Sequence, residues 1–158
     1  MSWLFIFLCL FNAGATDRQQ GQNSVRIVVA SQQKFQNRGH HPENNRRITF
    51  QMVNESNEPV IVYGMIFKAG FEPTGYIMDR DESTGNWLYP TPDNRPITWK
   101  DISGLEKDKY ILQPGRIITF EAEMSQAEVG KRFKRVVYVS FRESEEPHQI
   151  SSEEYVLK

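Results

Sequence analysis

A run of acidic and hydroxyl side chains in the middle of the chain has the residue types that bind calcium. Asp79 to Gly85 (DRDESTG) places oxygen-bearing side chains close together, and calcium takes roughly six to eight oxygen ligands. The helix–loop–helix calcium loop requires glycine at its sixth position and glutamate at its twelfth. Counting from Asp79, these positions hold Thr84 and Pro90. We therefore expect a solvated hairpin tip and no calcium site here.

Histidines raise the question of a transition-metal site. The segment His40-His41-Pro42-Glu43 combines residue types that bind zinc, and the third histidine, His148, is far away in sequence. Adjacent side chains on an extended chain point to opposite sides, whereas a zinc site needs about three or four convergent ligands. We predict a polar loop and no metal or other cofactor.

No arrangement of catalytic residues is evident in the sequence. Serine, histidine and aspartate are present, but there is no Gly-x-Ser-x-Gly elbow, Walker motif or dinucleotide-binding glycine pattern. Cys9 is the only cysteine, and it lies in a segment that we expect to be removed. We predict that the protein is not an enzyme, with a hydrolase as the less favoured alternative.

Three aromatic residues surround a proline-rich stretch, Pro90 to Pro96. Trp87, Tyr89 and Trp99 form the candidate binding surface, because exposed aromatic rings can stack on sugars or anchor a protein partner at low entropic cost. The competing interpretation is that at least Trp87 and Tyr89 cap the hydrophobic core.

The N-terminal segment predicts export. Trp3 to Phe11 is an unbroken apolar run followed by Ala13-Gly14-Ala15, the pattern of a secretory signal peptide and its cleavage site. The run is shorter than the ~20 residues that span a bilayer. We predict a signal peptide over residues 1–15, a flexible leader over 16–23 and a folded domain over 24–158, secreted or periplasmic and without a membrane span after cleavage.

The overall charge argues against nucleic acid as a partner. The chain has 19 Lys and Arg against 20 Asp and Glu, a net charge of −1, and nucleic-acid binding requires a basic face. The basic run Lys131 to Arg135 is expected to be a solvated strand entrance, neutralised by Glu128 and by Glu143 to Glu146. Without cysteine, the mature domain must be stabilised by packing.

Short alternating or β-branched segments indicate successive strands. Gly64, inside one of them, predicts a bulge or a close approach of two backbones. Ser125 to Glu128 has the capping-box pattern of one short helical turn, while Ile97 to Tyr110 is ambiguous. The predicted strands are Val25–Val29, Arg47–Val53, Val60–Phe67, Tyr76–Met78, Trp87–Tyr89, Ile117–Met124, Val136–Phe141 and Glu154–Leu157.

These elements predict the fold class. About seven to nine short strands, separated by turns every ~8–12 residues, indicate an all-β, immunoglobulin-like antiparallel β-sandwich with one short helical turn. The turn Asn54 to Pro59 also contains a glycosylation sequon, Asn54-Glu55-Ser56. Because asparagine and serine are common turn residues, the turn explains both of them equally well.

Several segments resemble known families. Phe50-Gln-Met-Val-Asn54-Glu-Ser56-Asn-Glu-Pro59-Val60 is similar to the F-x-V-x-N-x-S-x-x-P-V hairpin of bacterial exported Ig-like domains. Leu112-Gln-Pro114-Gly115 is similar to their L-x-P-G turn. Gly75-Tyr76-Ile77-Met78-Asp79 and Gly85-Asn86-Trp87 loosely resemble the middle of the intracellular type of proteinase-inhibitor domain.

The resemblance covers Arg47 to Met124. It implies the fold but not the function, since a sandwich hosts unrelated activities. The export signal and the insert Pro90 to Tyr110 depart from the inhibitor family, and no inhibitory loop can be transferred. We expect a secreted, non-catalytic binding or protein-interaction module whose partner is another protein or a carbohydrate. The alternative is a protease inhibitor that presents Thr91 to Pro96 as a rigid loop.

Overall fold

The computed structural model describes residues 25–36, 44–68, 70–105 and 108–158. The predicted signal peptide, the leader and the His40–His41 loop lie outside these ranges. The described residues form 11 strands in two antiparallel sheets, which confirms the all-β sandwich. The elements are β1 (Val25–Gln36), β2 (Asn44–Asn54), β3 (Val60–Phe67), β4 (Gly70–Pro73), β5 (Gly75–Arg80), β6 (Trp87–Leu88), α1 (Trp99–Ile102), β7 (Asp108–Leu112), β8 (Ile117–Met124), a 3-10 helix (Gln126–Glu128), β9 (Arg132–Ser140), β10 (His148–Ser151) and β11 (Tyr155–Val156).

The smaller sheet has the strand order β1-β2-β8. Strands β2 and β8 pair in continuous register, with Phe50 opposite Phe120, and their rings stack with centroids 5.4 Å apart. Strand β8 alternates as predicted, so that Ile118, Phe120 and Met124 are buried. The smaller sheet therefore contributes one apolar face to the core.

The larger sheet is organised around β3 and β9, which pair directly for only two residues, Ile61 with Ser140 and Val62 with Val139. Beyond that point residues 70–80 lie between them, first as β4 against β3 and then as β5 against β9. Strand β6 pairs with β5, strands β10 and β11 pair with β9, and β7 pairs with β3. The segment 70–80 thus changes its pairing partner from β3 to β9 within a single sheet.

The inner faces of the two sheets enclose one main core. Its fully buried members are mostly β-branched or aromatic, as expected for side chains packed between pleated surfaces. They include Ile27, Ile48, Phe50, Met52, Val60, Val62, Leu112, Phe133, Val137, Val139 and Leu157.

Three strands, β4, β7 and β10, lie outside the segments that the sequence patterns predict as strands. Each has only four or five residues, too short to show an alternating pattern. Strand β7 falls at the end of the ambiguous stretch after Ile97, and α1 falls at its start. They raise the number of strands above the expected seven to nine.

Gly64 confirms the predicted close approach of two backbones. A Cβ atom at this position would overlap the carbonyl oxygen of Glu72 on β4. The predicted capping box at Ser125 forms in part: the Ser125 amide donates to the Glu128 carboxylate at 3.0 Å, and the Ser125 hydroxyl accepts from the amide of Ala127 at 3.2 Å. The described residues contain no helix long and apolar enough to cross a bilayer.

The prediction of a solvated basic run is wrong for Arg135. Its side chain lies on the inner face of β9, between the core positions Phe133 and Val137, and the residue is only 8% exposed. The Nη2 atom donates to the carbonyl oxygen of Pro73 at 2.9 Å, and the guanidinium lies 5.8 Å from the centre of the Phe120 ring. Burial lowers the pKa of Arg135.

Candidate functional site

Two of the three candidate aromatic residues belong to a second hydrophobic cluster. Tyr76, Val136 and Tyr138 are buried on the outer face of the larger sheet, opposite the main core. Tyr89 and Trp99 pack against them. The centre of the Trp99 ring is 5.4 Å from that of Tyr138, and the Tyr89 ring is 6.2 Å from Tyr76.

The segment that carries Tyr89 and Trp99 covers this cluster. We call residues 89–105 the strap. The Tyr138 hydroxyl donates to the carbonyl oxygen of Ile97 at 2.8 Å, and the Gln149 side-chain amide donates to the same oxygen. Trp99 also contacts Tyr63, with ring centroids 4.8 Å apart. The strap is thus held to the sheet by aromatic packing and by two hydrogen bonds to one carbonyl oxygen.

Trp87 lies outside the cluster. It is half-buried, like Tyr89 and Trp99, and it pairs with Arg80 across β5 and β6. The ammonium group of Lys134 lies 4.7 Å from the centre of its ring, a cation–π arrangement. The structure therefore brings together Tyr89 and Trp99 but places Trp87 apart from them, and ligand binding by these residues stays a prediction.

The loop Thr91 to Pro96 is stabilised by its own side chains. Asn94, with a positive φ of 50°, accepts a hydrogen bond from the amide of Tyr89. Arg95 makes two hydrogen bonds of 3.0 Å to the carboxylate of Asp101 on α1. These bonds hold the pKa of Asp101 well below its usual range, so the carboxylate is ionised and clamps the loop to the helix.

In the acidic hairpin tip, the Asp81 carboxylate forms hydrogen bonds with residues of the tip itself. Asp81 accepts hydrogen bonds from the amide and hydroxyl of Ser83, at 2.8 and 2.6 Å, and from the amide of Thr84 at 3.2 Å. The bonds from Ser83 contribute most to lowering the pKa of Asp81 to about 2. Across the described ranges, no three acidic, histidine or cysteine side chains are placed to hold a metal ion.

A further feature that the sequence patterns did not indicate is an apolar edge on the larger sheet. Ile66 and Phe67 at the end of β3 are 64% and 49% exposed, and Ile111 on β7 is 58% exposed. Tyr110 on β7 is also exposed, with its ring 5.3 Å from that of Phe71. The sequence feature that could have indicated this edge is the apolar run Val60 to Phe67. Its last residues extend past the part of β3 that is buried.

Comparisons with known proteins bear on the fold alone. No family model matches the chain, and no curated protein matches it. It is similar to the X-ray structure of Northeast Structural Genomics Consortium target SoR45, with a TM-score of 0.52 and 10% identity over 86% of this chain and 87% of that one. It is also similar to the crystal structure of the "Putative ApaA Protein" from Bordetella pertussis, with a TM-score of 0.50 and 10% identity over 84% of this chain and 91% of that one.

Proposed function

We propose that the protein is an exported, non-catalytic interaction module that binds a partner protein along the free edge of β7. One observation carries this proposal. Of the eight large hydrophobic residues exposed in the described chain, four lie on the adjacent strands β3 and β7: Ile66, Phe67, Tyr110 and Ile111. Ile66 and Tyr110 lie on one face of the sheet and Phe67 and Ile111 on the other, and exposed apolar residues concentrated at one edge are typical of interaction sites.

The edge offers both backbone and side-chain contacts. Within the described residues β7 pairs with β3 alone, so its other side is available to an added strand, a common mode of peptide recognition. Tyr110 lies opposite Val62 and shares its face, whereas Ile111 lies opposite Ile61 on the other face. A partner strand would therefore find one exposed apolar side chain on each face of the sheet.

Charged residues on β7 favour a selective partner over indiscriminate pairing. Lys109 extends towards Glu143, with 3.5 Å between Nζ and Oε1, and Asp108 accepts a hydrogen bond of 2.8 Å from the amide of Ile66. Lysine on an edge strand is a usual protection against edge-to-edge aggregation. The edge therefore combines apolar contact area with a barrier to pairing with any exposed strand.

The test is site-specific crosslinking in the producing cell. A photoreactive phenylalanine analogue replaces Ile111 in one variant and Val129, exposed elsewhere on the surface, in the control. We expect a discrete crosslinked partner at position 111 that is absent at position 129, and loss of that product when Tyr110→Lys is added. Equal crosslinking at both positions, or none at 111, would contradict the proposal.

Export is part of the same proposal and has its own test. N-terminal sequencing of the protein recovered outside the cytoplasm is expected to begin near Thr16, since Ala13-Gly14-Ala15 has the small residues of a cleavage site. A mature chain that retains Cys9 would contradict export by this route.

Protease inhibition is the second candidate function, and the exposed, fixed loop within the strap supports it. Residues 92–96 are exposed, while the bonds from Asn94 and Arg95 fix the loop conformation. A pre-organised exposed loop binds with little loss of conformational entropy. Slowed cleavage by any member of a protease panel at micromolar protein would favour this candidate, and unchanged cleavage by all members would count against it.

A further inference from the structure

An open groove lies between the two sheets, beside β8 and β5, and it is separate from the β7 edge. Its volume is about 280 Å³. The apolar part of its lining consists of Ile77, Pro90, Met124 and Phe133. Met124 and Phe133 belong to the main core, and Ile77 packs against that core. The groove is therefore an opening onto the interior of the sandwich.

The charged residues that line the groove are all acidic. Asp79, Glu123 and Glu128 line the groove, and no lysine, arginine or histidine does so among the described residues. Asp79 follows Ile77 by two positions on β5, so the two side chains share the inner face. Glu123 is paired with Arg47, at 3.4 Å, and the Glu128 carboxylate accepts a hydrogen bond from the amide of Ser125. The groove therefore offers carboxylates above an apolar floor.

The strand beside the groove is also at an edge. Strand β8 is the last in the order β1-β2-β8, so one side of it is unpaired in the described part of the chain. An extended peptide lying along β8 would place alternate side chains towards the interior of the sandwich. The C-terminal end of β8, at Glu123 and Met124, would bring one of them over the groove.

We propose that this groove binds a single lysine or arginine side chain from an extended segment of a partner protein. A group of carboxylates alone would not define a site, but here the carboxylates line a cavity between the two sheets. Its volume is below the ~300–1,000 Å³ typical of pockets for drug-sized molecules, which suits one side chain. The methylene stem of a long cationic side chain packs on apolar surface while its head remains beside the carboxylates.

The test uses two matched peptides and nuclear magnetic resonance. The probe is acetyl-Val-Thr-Arg-Thr-Val-amide, and its control carries citrulline, which has nearly the shape of arginine but no charge. The protein is residues 16–158. We expect the arginine peptide to shift the methyl signals of Met124 and Ile77, and the citrulline peptide to bind at least about fivefold more weakly. Raising the salt to about 1 M should weaken binding, because the carboxylates at the mouth are open to solvent.

Variants locate the effect in the groove. Asp79→Asn keeps the side-chain shape, and we expect it to weaken the arginine peptide at least about fivefold, whereas Glu58→Gln, exposed in a distant turn, should leave binding unchanged. If Asp79→Asn does not fold, Glu128→Gln replaces it. Equal binding of both peptides, shifts that map away from Ile77 and Met124, or no shifts at millimolar peptide would overturn the proposal.

Discussion

The side-chain amide of Asn54 donates a hydrogen bond of 2.8 Å to the main-chain carbonyl of Leu112, 58 residues further along the chain. The same nitrogen donates to the carbonyl of Glu58 at 2.8 Å, and the side-chain oxygen accepts from the amide and hydroxyl of Ser56. The main-chain carbonyl of Asn54 accepts from the amide of Gly115 at 2.8 Å. One residue thus joins the turn after β2 to the turn before β8.

We expect Asn54→Ala to destabilise the domain by about 2–4 kcal/mol, because it removes the donor to the buried carbonyl of Leu112 and the bonds to Glu58 and Ser56. Asn54 has no exposed surface, so water cannot replace the lost bonds without a rearrangement. Urea unfolding followed by circular dichroism measures the change. The control is Asn57→Ala, exposed in the same turn, which should stay within about 0.5 kcal/mol of the parent. Similar losses for the two variants would show that Asn54 has no special role.

The sequon at Asn54 should carry no glycan in the folded protein. The nitrogen that would bear the sugar donates to two main-chain carbonyls and lies in the interior, and a bulky polar glycan requires a surface position. Expression through a glycosylating secretory pathway, followed by intact-mass measurement with and without a glycosidase, tests this. Recovery of folded protein with a glycan on Asn54 would refute it.

Gly64→Ala should destabilise the protein by more than about 2 kcal/mol, because the new methyl group overlaps the backbone of β4 and the two strands must separate. Gly104→Ala is the matched control, since nothing lies within 4 Å of the corresponding Cβ position. Thermal unfolding of both variants gives the comparison. A Gly64→Ala melting temperature equal to that of Gly104→Ala would mean that β3 and β4 are not as close as described.

Tyr138→Phe should loosen the strap while leaving the sandwich folded. The substitution removes the hydroxyl that donates to Ile97 and accepts from Gln149 at 2.9 Å, which should cost about 1–2 kcal/mol. Hydrogen exchange at the amide of Ser103, which bonds to the carbonyl of Trp99, is expected to accelerate. Tyr110→Phe, at the exposed edge, should leave that exchange unchanged. Unaltered exchange in Tyr138→Phe would indicate that packing and the Gln149 hydrogen bond hold the strap without the Tyr138 hydroxyl.

Acidification should weaken the domain through His148. Burial lowers the pKa of this histidine, and its Nε2 atom has no hydrogen-bond partner among the described residues. A lowered folded-state pKa means that the unfolded chain binds the proton more readily, so this stability is complete above the unfolded pKa of about 6.5 and is lost as pH falls through the folded pKa.

Replacing His148 with phenylalanine removes that titration and preserves a ring to stack on Phe141, whose centroid lies 5.5 Å from that of the histidine. We expect the free energy of unfolding of the parent to decrease more steeply than that of His148→Phe below pH 6.5. Urea titrations at a series of pH values measure both. Parallel pH dependences would exclude His148 as the cause.

The sequence predicts long strands better than the surfaces that they form. The alternation of β8 correctly predicts that Phe120 and Met124 point inward, because period two is a local property of the chain. Arg135 follows the same rule, since it shares its alternation with Phe133 and Val137 and period two therefore predicts an inward side chain. Its charge favours solvent, and the prediction from charge is the one that is wrong.

The candidate site depends on non-local pairing, which a single sequence does not specify. Trp99 contacts Tyr63 and Tyr138 because β3 and β9 are neighbours in the larger sheet. The sequence from Trp87 to Trp99 does not indicate which of the three aromatic rings pack in the same cluster. The exposed edge has the same origin, since the position of β7 at the side of the sheet, with β3 as its one partner among the described strands, follows from pairing.

The segment 70–80, which pairs first with β3 and then with β9, has a consequence for how the protein folds. The larger sheet is complete only when residues 60–67 and 132–140 have both paired with this segment. Pairings between distant parts of a chain slow folding, since the loop must close before the contacts form. We expect a domain that folds slowly and unfolds as one unit, with the amides of β3, β5 and β9 exchanging together.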